Sequence, residues 1–310
     1  MTLWTSLFLS TLKSLPYGSL KLKLPNNQSY NFYGSKKGPA AFLEINEESS
    51  LKKIMTEGSV GFAEDFIDSK IQSTNLVDLM YYFALNNDFI EKKIKYILIF
   101  KLINNFKHIL RNNSKFRAKR NIKFHYDLGN NFYKKWLDKS MTYSSAIFNN
   151  QKMDLYNAQK NKYKKISQLS NIKNKDKVLE IGCGWGGFME YILNQSNCKI
   201  TGTTISNAQY EFAQKRLNKL KFKEKANLIK KDYRDLKGKF DKIISIEMFE
   251  AVGKDYWDAY FKKIRELIKE NGIIILQLIT IKDANFKYYS KNPDFIQKYI
   301  FPGGMLISIE

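Results

Sequence analysis

The sequence predicts an α/β protein in which a parallel sheet covered by helices follows a small α+β unit. From about residue 150 onward, short apolar segments alternate with longer amphipathic ones, which is typical of a parallel sheet with helices on both faces. One apolar segment, residues 177–181, leads directly into a glycine-rich turn. Over residues 20–45, three short segments are separated by Pro-Asn-Asn and Gly-Ser-Lys-Lys-Gly, a pattern that predicts strands joined by turns.

The first 90 residues are predicted to form the small α+β unit. Apolar residues between positions 3 and 15 lie on one face of a helix that ends at Pro16. Such a helix packs on its own unit or lies on a bilayer, and we expect packing. Strands are expected within residues 20–24, 29–34 and 40–45, and helices within 50–58 and 74–85. Residues 91–124 begin as a basic, apolar-striped helix and end as a Lys/Arg/Asn-rich linker.

The rest of the chain, residues 125–310, is predicted to carry the parallel sheet. Helices are expected at 155–170, 188–195, 208–220 and 256–270, and strands at 177–182, 199–205, 240–247 and 272–281. A further short apolar segment, 227–233, lies between the helix at 208–220 and the strand at 240–247. This order of elements predicts one compact α/β domain after the linker.

The charge of the chain favours anionic partners. Its 310 residues carry 52 Lys and Arg against 30 Asp and Glu, a formal net charge of +22, which suits phospholipid head groups or nucleic acid. Heavy use of Lys, Asn and Ile throughout the chain is equally compatible with AT-rich coding. Two cysteines and two histidines form neither a disulfide framework nor a metal-ligand pattern, which indicates a reducing, cytoplasmic compartment and no metal. The N-terminal segment has the features of neither a signal peptide nor a membrane span.

The glycine-rich turn indicates the class of ligand. It has an acidic residue before three alternate glycines, Glu180, Gly182, Gly184 and Gly186. The dinucleotide fingerprint fits only if one glycine of a run is selected, and the Gly-Lys-Ser/Thr of a P-loop is absent. A carboxylate beside bare backbone suits an ammonium-bearing ligand without phosphates. The pattern is typical of class I methyltransferases that use S-adenosylmethionine (SAM), which have a Rossmann-like fold.

Six stretches, one of which contains the glycine-rich turn, resemble the family of cyclopropane-fatty-acyl-phospholipid synthases and mycolic acid cyclopropane synthases. They are HYDLGNNFYKKWLDKSMTYSSAIF (125–148), LEIGCGWGGF (179–188), TTISNAQ (203–209), DYRDL (232–236), SIEMFEAVG (245–253) and FIQKYIFPGGMLIS (295–308). They follow one another through most of residues 120–308, and GSVGFAEDFIDSKI (58–71) resembles the family's accessory domain more weakly. The resemblance implies a SAM-dependent methyltransferase domain after a lipid-contacting accessory domain.

The resemblance also implies the cofactor site. Contacts to SAM fall on Tyr143, Ser144, Glu180, Gly182, Gly184, Gly186, Thr204, Ser206, Gln209, Tyr233 and Arg234. Hydroxyl and amide groups can bond a carboxylate or a ribose, and a tyrosine ring can stack on adenine.

The reaction that the resemblance implies is addition of the SAM methyl group to a cis double bond of a phospholipid acyl chain. Such a reaction needs alignment, a site that tolerates a carbocation, and a base. Family members hold a bicarbonate as that base with a Glu, a His, a Tyr and the backbone around a Cys. Here Glu250 matches the Glu, Ser145 stands at the Cys position and Gln277 at the His position, while the Tyr position falls beyond residue 310. Since a Gln amide does not titrate, we expect a methyl-branched or methylated unsaturated product as readily as a cyclopropane.

The expected partner is unsaturated phospholipid, which the protein meets as a cytoplasmic protein at the inner face of the membrane. The sequence is also compatible with a homodimer. A nucleic-acid methyltransferase is an alternative, but the segment IEMFE, which begins in the strand predicted at 240–247, lacks the Asn/Asp-Pro-Pro-aromatic sequence of enzymes that receive a flipped base. A non-catalytic lipid-binding relative is the other alternative. Fewer than thirty residues follow the strand predicted at 272–281, too few to close a seven-stranded sheet, so we expect an incomplete catalytic domain.

Overall fold

The computed structural model describes residues 1–97, 129–220, 222 and 224–310. The chain divides into two compact units, Met1–Leu110 and Arg111–Glu310. Most of the predicted linker at residues 91–124, and the first four residues of the motif at 125–148, lie outside the described residues.

The first unit is a four-stranded sheet with helices, within the part that the structure describes. Its elements are α1 (Leu3–Lys13), β1 (Tyr17–Lys23), β2 (Ser29–Tyr33), β3 (Lys36–Ile45), α2 (Ser49–Glu57), α3 (Ser59–Ile67), β4 (Ile71–Gln72) and α4 (Leu76–Ile97). The strand order is β2-β1-β3-β4. Strand β1 pairs in parallel with β3 and antiparallel with β2. This is the α+β unit that the sequence predicts. The helix expected within residues 74–85 and the start of the helix expected from residue 91 form one helix, α4, in the structure.

The N-terminal helix packs on its own unit, as the sequence predicts. Phe8, Leu12 and Leu15 are buried in one cluster with Leu20 and Leu22 of β1. The alternate positions in β1 show why the strand forms, because residues two apart lie on the same face of a sheet. Full burial of each such side chain stabilises the fold by about 1.5–3 kcal/mol.

The second unit is built on a parallel sheet. Its elements are α5 (Gly129–Tyr133), α6 (Leu155–Ser170), β5 (Lys177–Ile181), α7 (Gly187–Gln195), β6 (Lys199–Thr204), α8 (Asn207–Lys219), β7 (Ala226–Lys230), β8 (Phe240–Ile246), α9 (Trp257–Leu267), β9 (Ile268–Gln277) and α10 (Asp283–Tyr289). The described strands are ordered β7-β6-β5-β8-β9, and each neighbouring pair is parallel. The predicted α/β class is therefore confirmed.

Both faces of this sheet are covered. In β5, Val178 packs into one hydrophobic cluster with helix α7, whereas its neighbour Leu179 packs into another cluster with helix α9. Successive strand residues point to opposite faces, so helices cover each side. The carboxyl ends of the parallel strands are left together at one edge, where ligands bind in open α/β sheets.

The end of α9 and the bounds of β9 differ from the prediction. We expected a helix through residue 270 and a strand from 272 to 281, but β9 begins at Ile268 and ends at Gln277. Ile268 is buried and pairs with Phe240 across an irregular register. Burial of this side chain against β8 outweighs the helical periodicity of the exposed residues that follow it. The shift makes Gln277 the last residue of β9, at the carboxyl edge.

Among the described residues, no helix is both long enough and apolar enough to cross a bilayer.

Candidate functional site

A cavity of about 430 Å³ lies at the carboxyl edge of the sheet. We call it the main cavity. Residues that follow β5, β6, β7 and β8 line it, together with segment 141–144 and part of residues 279–306. Its volume is typical of a site for a small molecule. A more open pocket, the side pocket, adjoins it and shares Tyr143, Ser144 and Glu247 among its lining residues.

Most of the residues predicted to bind SAM line the main cavity. They are Tyr143, Ser144, Glu180, Gly182, Gly184, Thr204, Gln209, Tyr233 and Arg234, and Glu250 joins them. The structure does not place Gly186, Ser206, Ser145 or Gln277 in the lining of this cavity. Ser145 and Gln277 line the side pocket instead.

The glycine-rich turn presents bare backbone to the main cavity. Gly184 has φ +53°, and a Cβ built there would meet no atom of the described residues within 4 Å. A Cβ at Gly182 would instead lie 2.5 Å from the Cγ of Met248. Gly182 is thus required by packing within the protein, whereas Gly184 leaves open space in which a ligand can approach the main chain.

Glu180 offers an unpaired carboxylate oxygen to the same cavity. The residue is 3% exposed, and its Oε2 has no hydrogen-bond partner in the described part of the chain. Burial raises the pKa of Glu180 to about 8, and nearby Lys162 opposes that rise. Lys162 is also buried, and burial lowers its pKa to about 8. An ammonium group in the cavity would supply the hydrogen bond and the charge that Glu180 lacks.

Three of the predicted polar residues are held by one another at the end of β6. Thr204 donates from Oγ1 to Oε1 of Gln209 at 2.7 Å, and the Ser206 N–H donates to Thr204 Oγ1 at 3.2 Å. Ser206 also caps α8, since its Oγ accepts from the Gln209 N–H. Thr204 and Gln209 face the cavity, while Ser206 orders the turn that presents them.

Beside β7, sequence reasoning missed Asp232. Its carboxylate accepts from Nε and Nη2 of Arg234 at 2.8 and 2.7 Å, and both residues line the main cavity with Tyr233. The bidentate pair fixes the direction of the arginine. An acidic residue just beyond the carboxyl end of a parallel strand is a signal that could have identified it.

Glu250, the predicted acid at the acceptor, follows β8 in a 3₁₀ turn, Phe249–Ala251. Its Oε1 accepts from the Ile279 N–H at 2.5 Å, and its Oε2 is buried with no hydrogen-bond partner among the residues described. Burial raises the pKa of Glu250, and the charge of Glu247 adds to the rise.

Sequence reasoning also missed Glu247, the residue that joins Ser145 to Gln277. Its Oε1 accepts from the Ser145 N–H at 3.1 Å, from the Ser145 hydroxyl at 2.7 Å and from Gln277 Nε2 at 2.7 Å. Gln277 Nε2 also lies 3.0 Å from Ser145 Oγ. Glu247 lines both the main cavity and the side pocket. The signal was available, since Glu247 directly follows the carboxyl end of β8.

The residues present fit SAM. Glu180 would hold its amino group, the backbone at Gly184 would lie beside its methionyl chain, and Tyr233 and Arg234 would lie beside its adenine. Polar groups of these kinds along one cavity match the functional groups of that cofactor.

Comparison with known proteins identifies the family. The family model described as mycolic acid cyclopropane synthetase matches residues 113–310. The chain is 34% identical over 278 residues to the cyclopropane-fatty-acyl-phospholipid synthase of Escherichia coli K12, covering 87% of the chain and 68% of the relative. It is 29% identical over 283 residues to tuberculostearic acid methyltransferase UfaA1 of Mycobacterium tuberculosis, covering 88% and 65% respectively. The chain thus spans about two thirds of the length of these curated relatives.

A solved structure agrees with this result. The mycolic acid cyclopropane synthase CmaA1, in complex with SAH and CTAB, is 28% identical, with a TM-score of 0.57 over 62% of this chain and 70% of that chain. It shares the Rossmann-like fold, and its bound SAH is the product that SAM leaves after methyl transfer. The chain therefore belongs to the mycolic acid cyclopropane synthetase family and is a SAM-dependent methyltransferase.

Proposed function

We propose that this enzyme transfers the SAM methyl group to a carbon–carbon double bond in the acyl chain of an unsaturated phospholipid. The observation that carries the proposal is the composition of the main cavity. The same space that is lined by Glu180 and the glycine turn is also lined by apolar side chains from later in the chain. They are Ile279, Ile296, Phe301, Pro302, Met305 and Leu306. A polar end for the cofactor and an apolar wall for a hydrocarbon chain suit this pair of substrates.

The chain's residues fit the chemical demands of the reaction. When bound, SAM supplies an electrophilic methyl group on a positively charged sulfur. The acceptor double bond is a weak nucleophile, so the residues contribute alignment and an environment that tolerates positive charge. The rings of Tyr143 and Phe301 stack with centroids 6.2 Å apart, and both residues line the cavity. Aromatic faces stabilise a nearby cation. Carboxylates that can accept a proton are present at Glu247 and Glu250.

The names of the relatives support two forms of product. The E. coli relative is named as a cyclopropane synthase acting on fatty acyl phospholipid, and the M. tuberculosis relative is named as a methyltransferase. Both outcomes begin with the same methyl addition and differ in which proton is then lost. We propose that this chain forms a cyclopropane or a methylated acyl chain at one and the same site.

We further propose that the protein meets its lipid as a peripheral protein at the cytoplasmic face of the membrane. The net charge of +22 favours anionic head groups. In the first unit, Val77 and Tyr81 are 77% and 56% exposed and lie four residues apart on α4, with exposed Met80 between them. Residues at this spacing share one helix face, which can enter the interfacial region of a bilayer.

The test of the reaction uses SAM with a trideuterated methyl group and vesicles of monounsaturated phospholipid. Released acyl chains are analysed by mass spectrometry. A cyclopropane retains two deuterium atoms, and a product that loses a proton from the acyl chain retains three. If a folded protein that binds SAM produces neither a modified acyl chain nor SAH, the proposed function is refuted.

The test of the membrane surface compares sedimentation with anionic and with neutral vesicles. The double change Val77→Asp and Tyr81→Asp should reduce binding to anionic vesicles, because it places negative charge on the apolar face of α4. The double change Ser49→Asp and Ser59→Asp, at exposed first positions of α2 and α3, adds the same charge elsewhere in the same unit and is the control. Equal binding by the double variant and the wild type would contradict the membrane role of this face.

A further inference from the structure

Glu247 has a backbone conformation that L-amino acids rarely adopt. Its φ is +45°, in the left-handed region that favours glycine, where the conformation costs a non-glycine residue about 1–2 kcal/mol. Glutamate lacks the short polar side chain with which Asn and Asp stabilise this conformation locally. Strain of this kind persists where the surroundings enforce it, and it is concentrated at functional sites.

The side chain explains what is gained from this conformation. Three donors, the N–H and hydroxyl of Ser145 and the amide of Gln277, converge on the single atom Oε1 of Glu247 at 2.7–3.1 Å. The Glu247 N–H in turn donates to the Gln277 carbonyl at 2.9 Å. Convergent N–H and O–H donors form a site for an anion, and here the anion is part of the chain.

The charges around this site are arranged to complement it. Burial lowers the pKa of Lys162. Among the charged groups that oppose this lowering, Glu247 has the largest effect. Glu250, on the next turn, has a pKa that is raised by burial and by Glu247. Glu250 has one carboxylate oxygen without a hydrogen-bond partner among the described residues, whereas Glu247 Oε1 has three donors. Of these two carboxylates, Glu247 is the one whose oxygen is held by several hydrogen-bond donors.

The same geometry decides whether the residues fit a bicarbonate. Ser145 and Gln277 are the positions at which the family resemblance implies bicarbonate binding, and both donate to Glu247 instead. A free anion would need the same hydrogens. The residues of this chain therefore do not fit a separate bicarbonate at these donors.

We propose that the Glu247 carboxylate is the resident base of this enzyme and replaces a free anion in the step that completes the reaction. This inference rests on the proposed function. After methyl addition, the acyl chain has a positive charge on carbon. A Glu247 oxygen removes a proton from the new methyl group or from a neighbouring chain carbon, and the C–H electron pair forms the ring bond or a new double bond. Glu247 becomes a neutral carboxylic acid and returns its proton to water through the side pocket, where Ser145 is exposed.

The anion site can be tested without any lipid. Glu247→Gly relieves the backbone strain and leaves the donors of Ser145 and Gln277 free, so this variant should bind ¹³C-labelled formate saturably in an NMR titration. The wild type should not bind it. Glu247→Gln is the matched control, because its amide oxygen still accepts from the same donors and should keep formate out. Absence of formate binding to Glu247→Gly, or equal binding to the wild type, would overturn the assignment of the site.

The role as a base is tested with SAM and unsaturated phospholipid in buffer depleted of carbon dioxide. The wild type should be fully active there, and Glu247→Gln should lose about a hundredfold or more of its turnover, the range for removal of a positioned base, while its SAM affinity changes by less than about threefold. Formate or bicarbonate should restore turnover to Glu247→Gly but not to Glu247→Gln.

The outcomes separate this inference from the proposed function. A wild type that requires bicarbonate, a Glu247→Gln variant with near-normal turnover, or a Glu247→Gly variant that formate does not restore would each overturn the role of Glu247. An inactive wild type would refute the proposed function instead, and the formate titration would still decide whether Glu247 fills an anion site. If neither variant folds, the bicarbonate dependence of the wild type alone decides.

Discussion

Gly184→Ala separates cofactor binding from folding more cleanly than other changes in the glycine turn. The added methyl group would meet no atom of the described residues within 4 Å, so it does not disturb packing within the protein. It would project into open space at the lining of the main cavity. If the turn holds SAM, this methyl group occupies space that the cofactor needs.

The expected sizes of the two effects differ. At φ +53°, alanine costs about 1–2 kcal/mol of stability. For a unit of this size, each kcal/mol lowers Tm by about 2–4 °C, so Tm should fall by about 2–8 °C. That penalty is present in both the free and the bound protein and cancels in the affinity. A loss of SAM affinity therefore reports contact with the ligand, and we expect at least about tenfold, or about 1.4 kcal/mol. Gly184→Asp, which adds a larger and negatively charged side chain, should abolish binding.

The assay pairs calorimetry of SAM and SAH binding with thermal denaturation. Gly58→Ala is the control, since Gly58 has φ +62° and equally open surroundings but belongs to the first unit. It should lower Tm at least as much and leave SAM affinity unchanged. A Gly184→Ala variant that binds SAM within about twofold of the wild type would refute the assignment of the turn to the cofactor.

Further predictions concern charge. Because burial raises the pKa of Glu180 to about 8, the free protein holds a proton there at pH 7 that an ammonium-bearing ligand displaces. SAM affinity should thus rise from pH 7 to about 8 with release of a proton, and should stop rising above that because the ligand's own α-amino group, with an ordinary pKa of about 7.7–8.0, then loses its proton. Calorimetry at pH 7 should show the release as a binding enthalpy that depends on the buffer, and Glu180→Gln should abolish it. In the first unit, Lys53 pairs with buried Asp65 at 2.8 Å, and Lys53→Met should destabilise the protein by about 1–3 kcal/mol in urea denaturation because it leaves that carboxylate unpaired. Lys70→Met, which breaks an exposed pair with Glu47, should leave the urea midpoint unchanged; equal midpoints for both variants would contradict the prediction.

Local pattern was sufficient for the class of fold and for the position of the glycine-rich turn. Apolar periodicity records which side of each element is buried, and this is why helix α6 was predicted with its observed bounds, Leu155–Ser170. The turn after β5 could also be predicted from the sequence. Left-handed backbone at Gly182 and Gly184 favours glycine whatever surrounds it.

Local pattern failed where burial and pairing depend on distant residues. The helical period continues past Leu267, yet pairing of Ile268 with Phe240 turns the chain into a strand. The pattern also did not show that Ser206, which is predicted to contact the ribose, caps α8 with its Oγ. Both features depend on contacts that form only in the folded protein.

By itself the sequence determined an α/β methyltransferase and named Ser145, Gln277 and Glu250 as residues of its acceptor site. Only the tertiary structure decided that Glu247 lies between Ser145 and Gln277, with its carboxylate on their donors. More than a hundred residues separate Ser145 from Glu247 along the chain. They meet because parallel strands bring their carboxyl ends, and the segments beyond them, to one edge of the sheet. A helical or strand period in the sequence extends over only a few residues, so it does not predict contacts between residues that are far apart along the chain.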